Sequence, residues 1–182
     1  MQGDPDAHLV SRFKKGEQGA FDELVRRYQK QIYYLALRMT GNREDAEDIA
    51  QETFVKAYEA LENFREESSF FTWIYRIAVN LSINHYYKEK LRRFVSLNDL
   101  IGILSSHSPP PDSAVEGDQI NRAVKKALEG LPAKQKMVFV LRQYEGLSFP
   151  EIAEVTGRTV GSVKANYFHA VRKLRRALKD LE

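Results

Sequence analysis

The chain has 182 residues, 43% of them hydrophobic and 29% charged, with 28 basic and 25 acidic side chains for a net charge of +3; this suits a soluble globular protein of one or two small domains. It contains no cysteine, which excludes disulfides and Cys-ligated zinc or iron–sulfur sites and fits a reducing, cytoplasmic setting. Uncharged runs such as Ile77 to Tyr87 fall short of the roughly 18 apolar residues that span a bilayer, and Asp4 and Asp6 stand where a signal peptide wants positive charge, so neither membrane insertion nor secretion is expected.

In chain order, Leu9, Val10 and Phe13 make a short first helix stopped by Gly16. Phe21, Leu24, Val25, Tyr28, Ile32, Leu35 and Ala36 recur at spacings of three and four and end at Gly41, which predicts a second helix. Asn42 is placed to cap a third, whose first turn holds Glu44 and Asp45 and whose stripe is Ala46, Ile49, Ala50, Phe54, Ala57, Tyr58 and Leu61. A polar loop, Asn63 to Ser69, leads into a helix from about Phe70 to Arg93.

Charge then divides the chain. Residues 1–95 are balanced, 96–118 carry four acids and no base, and 119–182 carry 13 bases against six acids. The middle stretch, with Pro109, Pro110 and Pro111 in a row, reads as a partly extended linker. Its Leu97, Leu100, Ile101, Ile103 and Leu104 are apolar enough to dock on this chain or a partner.

Beyond the linker, Ile120, Val124 and Leu128 mark one helix, and Leu131-Pro132 breaks it and starts another through Met137, Val138 and Leu141. Ser148 precedes Glu151 by three positions with Pro150 between them, a capping box for a short helix that Gly157 ends. A longer helix follows from about Gly161 to Asp180 on the stripe Val163, Tyr167, Ala170, Val171, Leu174 and Leu178. The predicted fold class is therefore all-α: two small helical domains, 1–95 and 119–182, joined by a flexible linker over 96–118, with no strand and no internal repeat.

Three constellations stand out. The last two helices outline a helix-turn-helix, and opposite the apolar stripe lie Ser162, Lys164, Ala165, Asn166, His169, Arg172 and Lys173, which suit base edges and phosphates in a major groove; a helical hairpin with a solvated basic face is the plainer alternative. The Phe70 to Arg93 helix is dense in aromatics, Phe70, Phe71, Trp73, Tyr75, Tyr86 and Tyr87, interleaved with Arg76, Asn80, Asn84, His85 and Lys88. Base stacking on an aromatic contributes roughly 1 to 3 kcal/mol, which points to separated DNA strands, although Trp73, Ile74, Ile77, Ala78 and Leu81 read as core. The acidic set Glu44, Asp45, Glu47, Asp48 and Glu52 is either a solvated face or a docking surface for a basic partner. None of His8, His85, His107 or His169 has a Glu three residues before it, as a bundle di-iron site needs, and no phosphate loop or catalytic triad spacing occurs. No metal, cofactor or enzymatic activity is expected.

Together the runs DAEDIAQETFVKAYEAL, NFREESSFFTWIYRIAVN and LPAKQKMVFVLRQYEGLSFPEIAEVTGRTVGSVKANYFHAVRKLR resemble a bacterial sigma factor of the extracytoplasmic-function group over nearly the whole chain outside the linker. The resemblance implies a promoter-specificity subunit of RNA polymerase. It places Asp45, Asp48, Gln51, Glu52, Phe54 and Lys56 against the clamp coiled coil of the polymerase core. It places Phe64, Thr72, Arg76, Asn80 and Asn84 at the downstream promoter element and its flipped non-template base, with Tyr87 and Lys88 beside them. Lys164, Ala165, Asn166 and His169 fall at the upstream element, with Ser162 near them and Thr159 and Arg172 on phosphates. A cytoplasmic protein with an anti-sigma partner is implied, and the linker is similar to a segment that threads near the polymerase active centre. One departure matters: many members carry Ser-Arg where this chain has Ala165-Asn166, so the upstream base preference does not transfer. A conventional operator-binding regulator would leave the aromatic helix without a task, and a nucleic-acid enzyme would lack its catalytic groups.

Overall fold

A computed structural model describes residues 4–92 and 122–179 in full, and 93–99 and 116–121 as helical backbone. The described residues form α1 (Ala7–Lys14), α2 (Gly19–Thr40), α3 (Arg43–Ala60), a 3-10 turn (Leu61–Asn63), α4 (Phe70–Asp99), α5 (Glu116–Glu129), α6 (Ala133–Gln143), α7 (Phe149–Thr156) and α8 (Val160–Leu178), with no strand among them. The chain is all-α, as its periodicity predicts.

Local chemistry sets the boundaries. Gly41 takes φ +76°, in the left-handed region that glycine enters without a Cβ penalty, and its amide donates to the Leu37 carbonyl at 2.8 Å. One residue on, the Asn42 side chain accepts from the Asp45 amide at 3.2 Å and opens α3. At α7 the capping box is closed on both sides: Ser148 Oγ accepts from the Glu151 amide at 3.3 Å, and the Glu151 carboxylate accepts from the Ser148 amide at 2.7 Å. Those bonds from Ser148 hold the Glu151 carboxyl below its ordinary value.

Two boundaries differ from expectation. Helix α4 continues past Arg93 to Asp99, and helical backbone resumes at Glu116, inside the span read as linker. The reason is that residues 94–99 contain no proline or glycine; loss of basic residues is not itself a stop signal. Residues 100–115, with the three prolines and Leu100, Ile101, Ile103 and Leu104, lie outside the described residues, as does the Leu97 side chain.

The two halves pack on each other. Helices α2, α3 and α4 form the first bundle with α1 against α2, and α6, α7 and α8 form the second. Helix α4 touches both α6 and α7, and α2 touches α6. One buried apolar cluster therefore runs through both, joining Leu24, Ile32 and Ile74 to Met137, Val140 and Ile152. Polar contacts pin the seam. Glu145 accepts from Arg38 at 3.2 Å and from the Tyr75 hydroxyl at 2.9 Å, Arg76 donates to the Glu154 carbonyl at 2.8 Å, and the Tyr86 hydroxyl donates to the Leu131 carbonyl at 3.3 Å. Burial first, then the Glu145 carboxylate, keeps the Tyr75 phenol far above its ordinary value, so it stays a donor.

This double packing narrows the stacking reading of the α4 aromatics to Tyr87, with Trp73 packed on the core as expected. Phe70 and Tyr75 are fully buried, Phe71, Trp73 and Tyr86 are half-buried, and Tyr87 alone of the six is exposed. A helix covered by α2 and α3 on one side and by α6 and α7 on another needs large apolar groups nearly all round.

The first residues anchor the bundle from a distance. Asp6 is completely buried; its carboxylate accepts from the Tyr28 hydroxyl and pairs with Arg27. Asp4 accepts the Phe70 amide at 2.8 Å, satisfying a free donor at the start of α4. Asp6→Ala strands the Tyr28 hydroxyl in apolar surroundings, while half-exposed Arg27 turns to water. The expected loss is about 2 to 3 kcal/mol, or roughly 6 to 9 °C in melting temperature. A melting point within a degree of the parent's would reject that role.

Candidate nucleic-acid and partner interfaces

Three solvent-facing surfaces gather most of the residues singled out from the sequence. On α3, Asp48, Gln51, Glu52 and Lys56 are exposed, whereas Asp45 and Phe54 are half-buried. Asp45 faces α4, where His85 Nε2 stands 3.2 Å from its carboxylate, and Phe54 packs on the main core. Exposed Val55 and Tyr58 lie on the same helix, which gives the acidic face apolar spots. Tyr58 also sits edge-on to Phe13 and Phe21, at 5.4 and 5.1 Å.

On α4, Arg76, Asn80, Asn84, Tyr87 and Lys88 are all exposed. Their spacing of three and four residues sets them in one row along the helix. The row carries an amphipathic ring, two amides and two cations that the core does not need. Arg76 spends one of its donors on the Glu154 carbonyl. Phe64 and Thr72 are not in this row, for both are buried. Phe64 stacks on Trp73 with ring centres 4.8 Å apart, and Thr72 joins the cap of α4, its amide donating to Ser69 Oγ at 3.1 Å and its own hydroxyl lying 3.0 Å from that oxygen. In this arrangement both shape the loop between α3 and α4 from beneath.

That loop is itself tied down. Lys14 Nζ donates to the Phe64 carbonyl at 2.7 Å and to Glu66 at 2.9 Å. Glu66 takes φ +57°, a region costly for a residue with a Cβ, and the ion pair with Lys14 helps to hold it there. Lys14 carried no sequence signal, because its partners lie 50 and 52 positions away.

On the second half, Gly157 at φ +63° turns the chain from α7 to α8, and Thr159 caps α8 by accepting the Ser162 amide at 3.2 Å. Lys164, Ala165, His169 and Arg172 are exposed along α8, while Ser162 and Asn166 are half-buried. Asn166 Nδ2 donates to the Ser162 carbonyl at 2.8 Å, so its amide must turn outward to read a base. Phe168, 62% exposed, was not singled out from the sequence; it follows Tyr167 on the stripe and points away from the core.

Among the described residues no group of three or more His, Asp or Glu side chains is arranged to hold a metal, and no helix is long and apolar enough to cross a membrane.

Comparison with known proteins decides what these surfaces belong to. Residues 24–92 match Sigma-70 region 2, and residues 121–174 match Sigma-70, region 4. The chain is similar to the RNA polymerase sigma-H factor of Pseudomonas aeruginosa, 37% identical over 97% of this chain and 95% of that protein. It is also similar to the ECF RNA polymerase sigma factor SigW of Bacillus subtilis, 34% identical over 94% and 96%. The chain belongs to the extracytoplasmic-function group of RNA polymerase sigma factors.

Solved structures agree with that membership. The sigma factor resembles CnrH, solved in complex with the cytosolic domain of CnrY, at 26% identity and a TM-score of 0.70 over 96% of this chain and 97% of that one. RpoE from Bartonella quintana, solved with the anti-sigma factor NepR, shares the fold at 23% identity and a TM-score of 0.63, over 87% and 96%. Helices α2 to α4 thus lie largely in region 2 of the sigma factor, and α5 to α8 in its region 4.

Proposed function

We propose that this sigma factor binds bacterial RNA polymerase core through the acidic face of α3, reads an upstream promoter element with α8, and holds the separated non-template strand along α4. The observation that carries this reading is the exposed row on α4. Arg76, Asn80, Asn84, Tyr87 and Lys88 stand in line and exposed, Arg76 alone of them bonded to the second half, on the helix that follows a loop fixed by Lys14. Amides and guanidinium groups there can bond base edges and phosphates, and Tyr87, with half its surface exposed, offers a ring face for a base.

The α3 surface supports a protein partner: four carboxylates, Glu44, Glu47, Asp48 and Glu52, are exposed on it, and charge complementarity would steer it to a basic coiled coil. Its role is regulatory and non-catalytic, exercised in the cytoplasm, with an anti-sigma protein as a further partner. Phe64 and Thr72 would reach DNA only if the loop rearranged, so we assign them to support of the loop.

Adding the purified protein to a sigma-free core polymerase and scoring transcripts on a library of promoters tests the reading directly. Transcripts starting at defined sites are the expected result; absence of specific initiation refutes it. On α8, replacing Asn166 is expected to change base preference within the upstream element, since one bidentate contact is worth roughly 1 to 3 kcal/mol of discrimination. Replacing Arg172 should weaken binding to all sequences alike and flatten its salt dependence. Equal loss on every sequence for the Asn166 variant would remove it from base reading.

A further inference from the structure

A cleft of about 390 Å³ opens at the seam between the two halves. Arg38 and Arg43 line it from the first half, and Lys125, Lys136 and Glu129 from the second, with Tyr144 beside them. Cations thus face cations across a packed boundary. Glu145 answers Arg38 and Glu129 stands among the lysines, so four positive charges meet two negative ones. An adjoining hollow shares Gly41, Glu129 and Lys136 and also holds Asp45, Glu89 and Lys90. Its two further carboxylates already have partners, Asp45 with His85, which lines the same hollow, and Glu89 with Arg92.

Lys136 is the telling group. It is 3% exposed and lines both spaces. Among the described residues no hydrogen-bond acceptor reaches it and no carboxylate lies within ion-pair distance. Burial lowers its affinity for a proton, while Glu129 acts from further off to raise it. An ammonium placed there with its nearest carboxylate, Glu129, beyond ion-pair distance disfavours the packing that buries it, yet its helix packs against α2 and α4.

We infer that the cleft is a binding site for a small polyanion of the phosphate or pyrophosphate class, held between Arg43 of the first half and Lys125 and Lys136 of the second. Such a ligand offsets the excess of positive charge and accepts hydrogen bonds from the ammonium groups and the guanidinium. Because each half contributes part of the site, the ligand binds the packed arrangement and stabilises it by mass action. The site does not depend on the polymerase reading and fails or stands separately from it.

Pyrophosphate titrated into the full chain at constant ionic strength, followed by calorimetry and by thermal melting, tests the site. Saturable one-to-one binding and a raised melting temperature are expected of the parent. Lys136→Met removes the buried charge at similar volume and should fold at least as well without ligand; it is expected to bind about tenfold more weakly or worse and to show little shift in melting. Lys30→Met, an exposed lysine of α2 outside the cleft, should bind like the parent. The proposal is overturned if the parent shows no saturable binding, or if Lys136→Met binds as the parent does. It is equally overturned if binding is lost in a Lys164→Ala, Arg172→Ala double variant and kept in Lys136→Met, which would place the anion on the recognition helix.

Discussion

Reversing two charges on α3, Asp48→Lys with Glu52→Lys, is expected to abolish co-purification with sigma-free core polymerase while the melting curve hardly moves. Both residues are exposed and four apart on one helix, so they present a single edge to a partner. Their contribution to folding is small. Glu52 pairs with Lys56 at 3.4 Å, but each side chain is about half exposed, and an exposed pair of this spacing adds about 0.3 to 0.5 kcal/mol. Against a basic partner the same change turns two charges from attraction to repulsion, a shift of four charge units, which costs several kcal/mol and slows encounter. Undiminished binding by the folded double variant would end the assignment of α3 as the docking surface.

Asn80→Ala is the second large effect expected, and it concerns strand separation. Asn80 is exposed on α4 and makes no hydrogen bond with the described residues, so the folded chain loses little. Extruding a base costs a few kcal/mol of stacking and pairing, which only groups facing the parted strand offset. The variant should bind core polymerase and the upstream element normally yet give far fewer permanganate-reactive thymines at the start site. A template carrying a mismatched bubble should restore much of the transcription. Normal opening by the variant, or equal failure on the bubble template, would detach α4 from strand capture. Arg76 is a less clean probe, since its contact with the Glu154 carbonyl mixes DNA binding with the packing of the two halves.

What could be read in advance divides by distance along the chain. Gly41 with Asn42, the Ser148–Glu151 box, and Gly157 before Thr159 act over three or four positions, and each sits where the sequence put it. The exposed residues of α4 and α8 were legible for the same reason: once a helix has an apolar stripe, the polar residues off it face water. Glu145 was not legible. Its partners Arg38 and Tyr75 lie 107 and 70 positions away, and no local pattern records such a pairing. The aromatics of α4 misled because density in Phe, Trp and Tyr reports burial as readily as a nucleic-acid surface, and the choice depends on α6 and α7 closing over the helix. The burial of Phe64 and Thr72 was hidden for a related reason: Phe64 sits in a loop, which has no period, and Thr72 in the first turn of α4, where its bonds to Ser69 turn it inward.

Asp4 and Asp6 impose an order on biosynthesis. The Phe70 amide that Asp4 holds is 66 positions further along the chain. At roughly 5 to 20 residues per second, translation separates the two partners by about 3 to 13 s. Asp6 meets its partners Arg27 and Tyr28, 21 and 22 positions on, well before then, so the Asp4 carboxylate is the one that waits. The contact between Asp4 and α4 therefore closes only after the start of α4 has been synthesised.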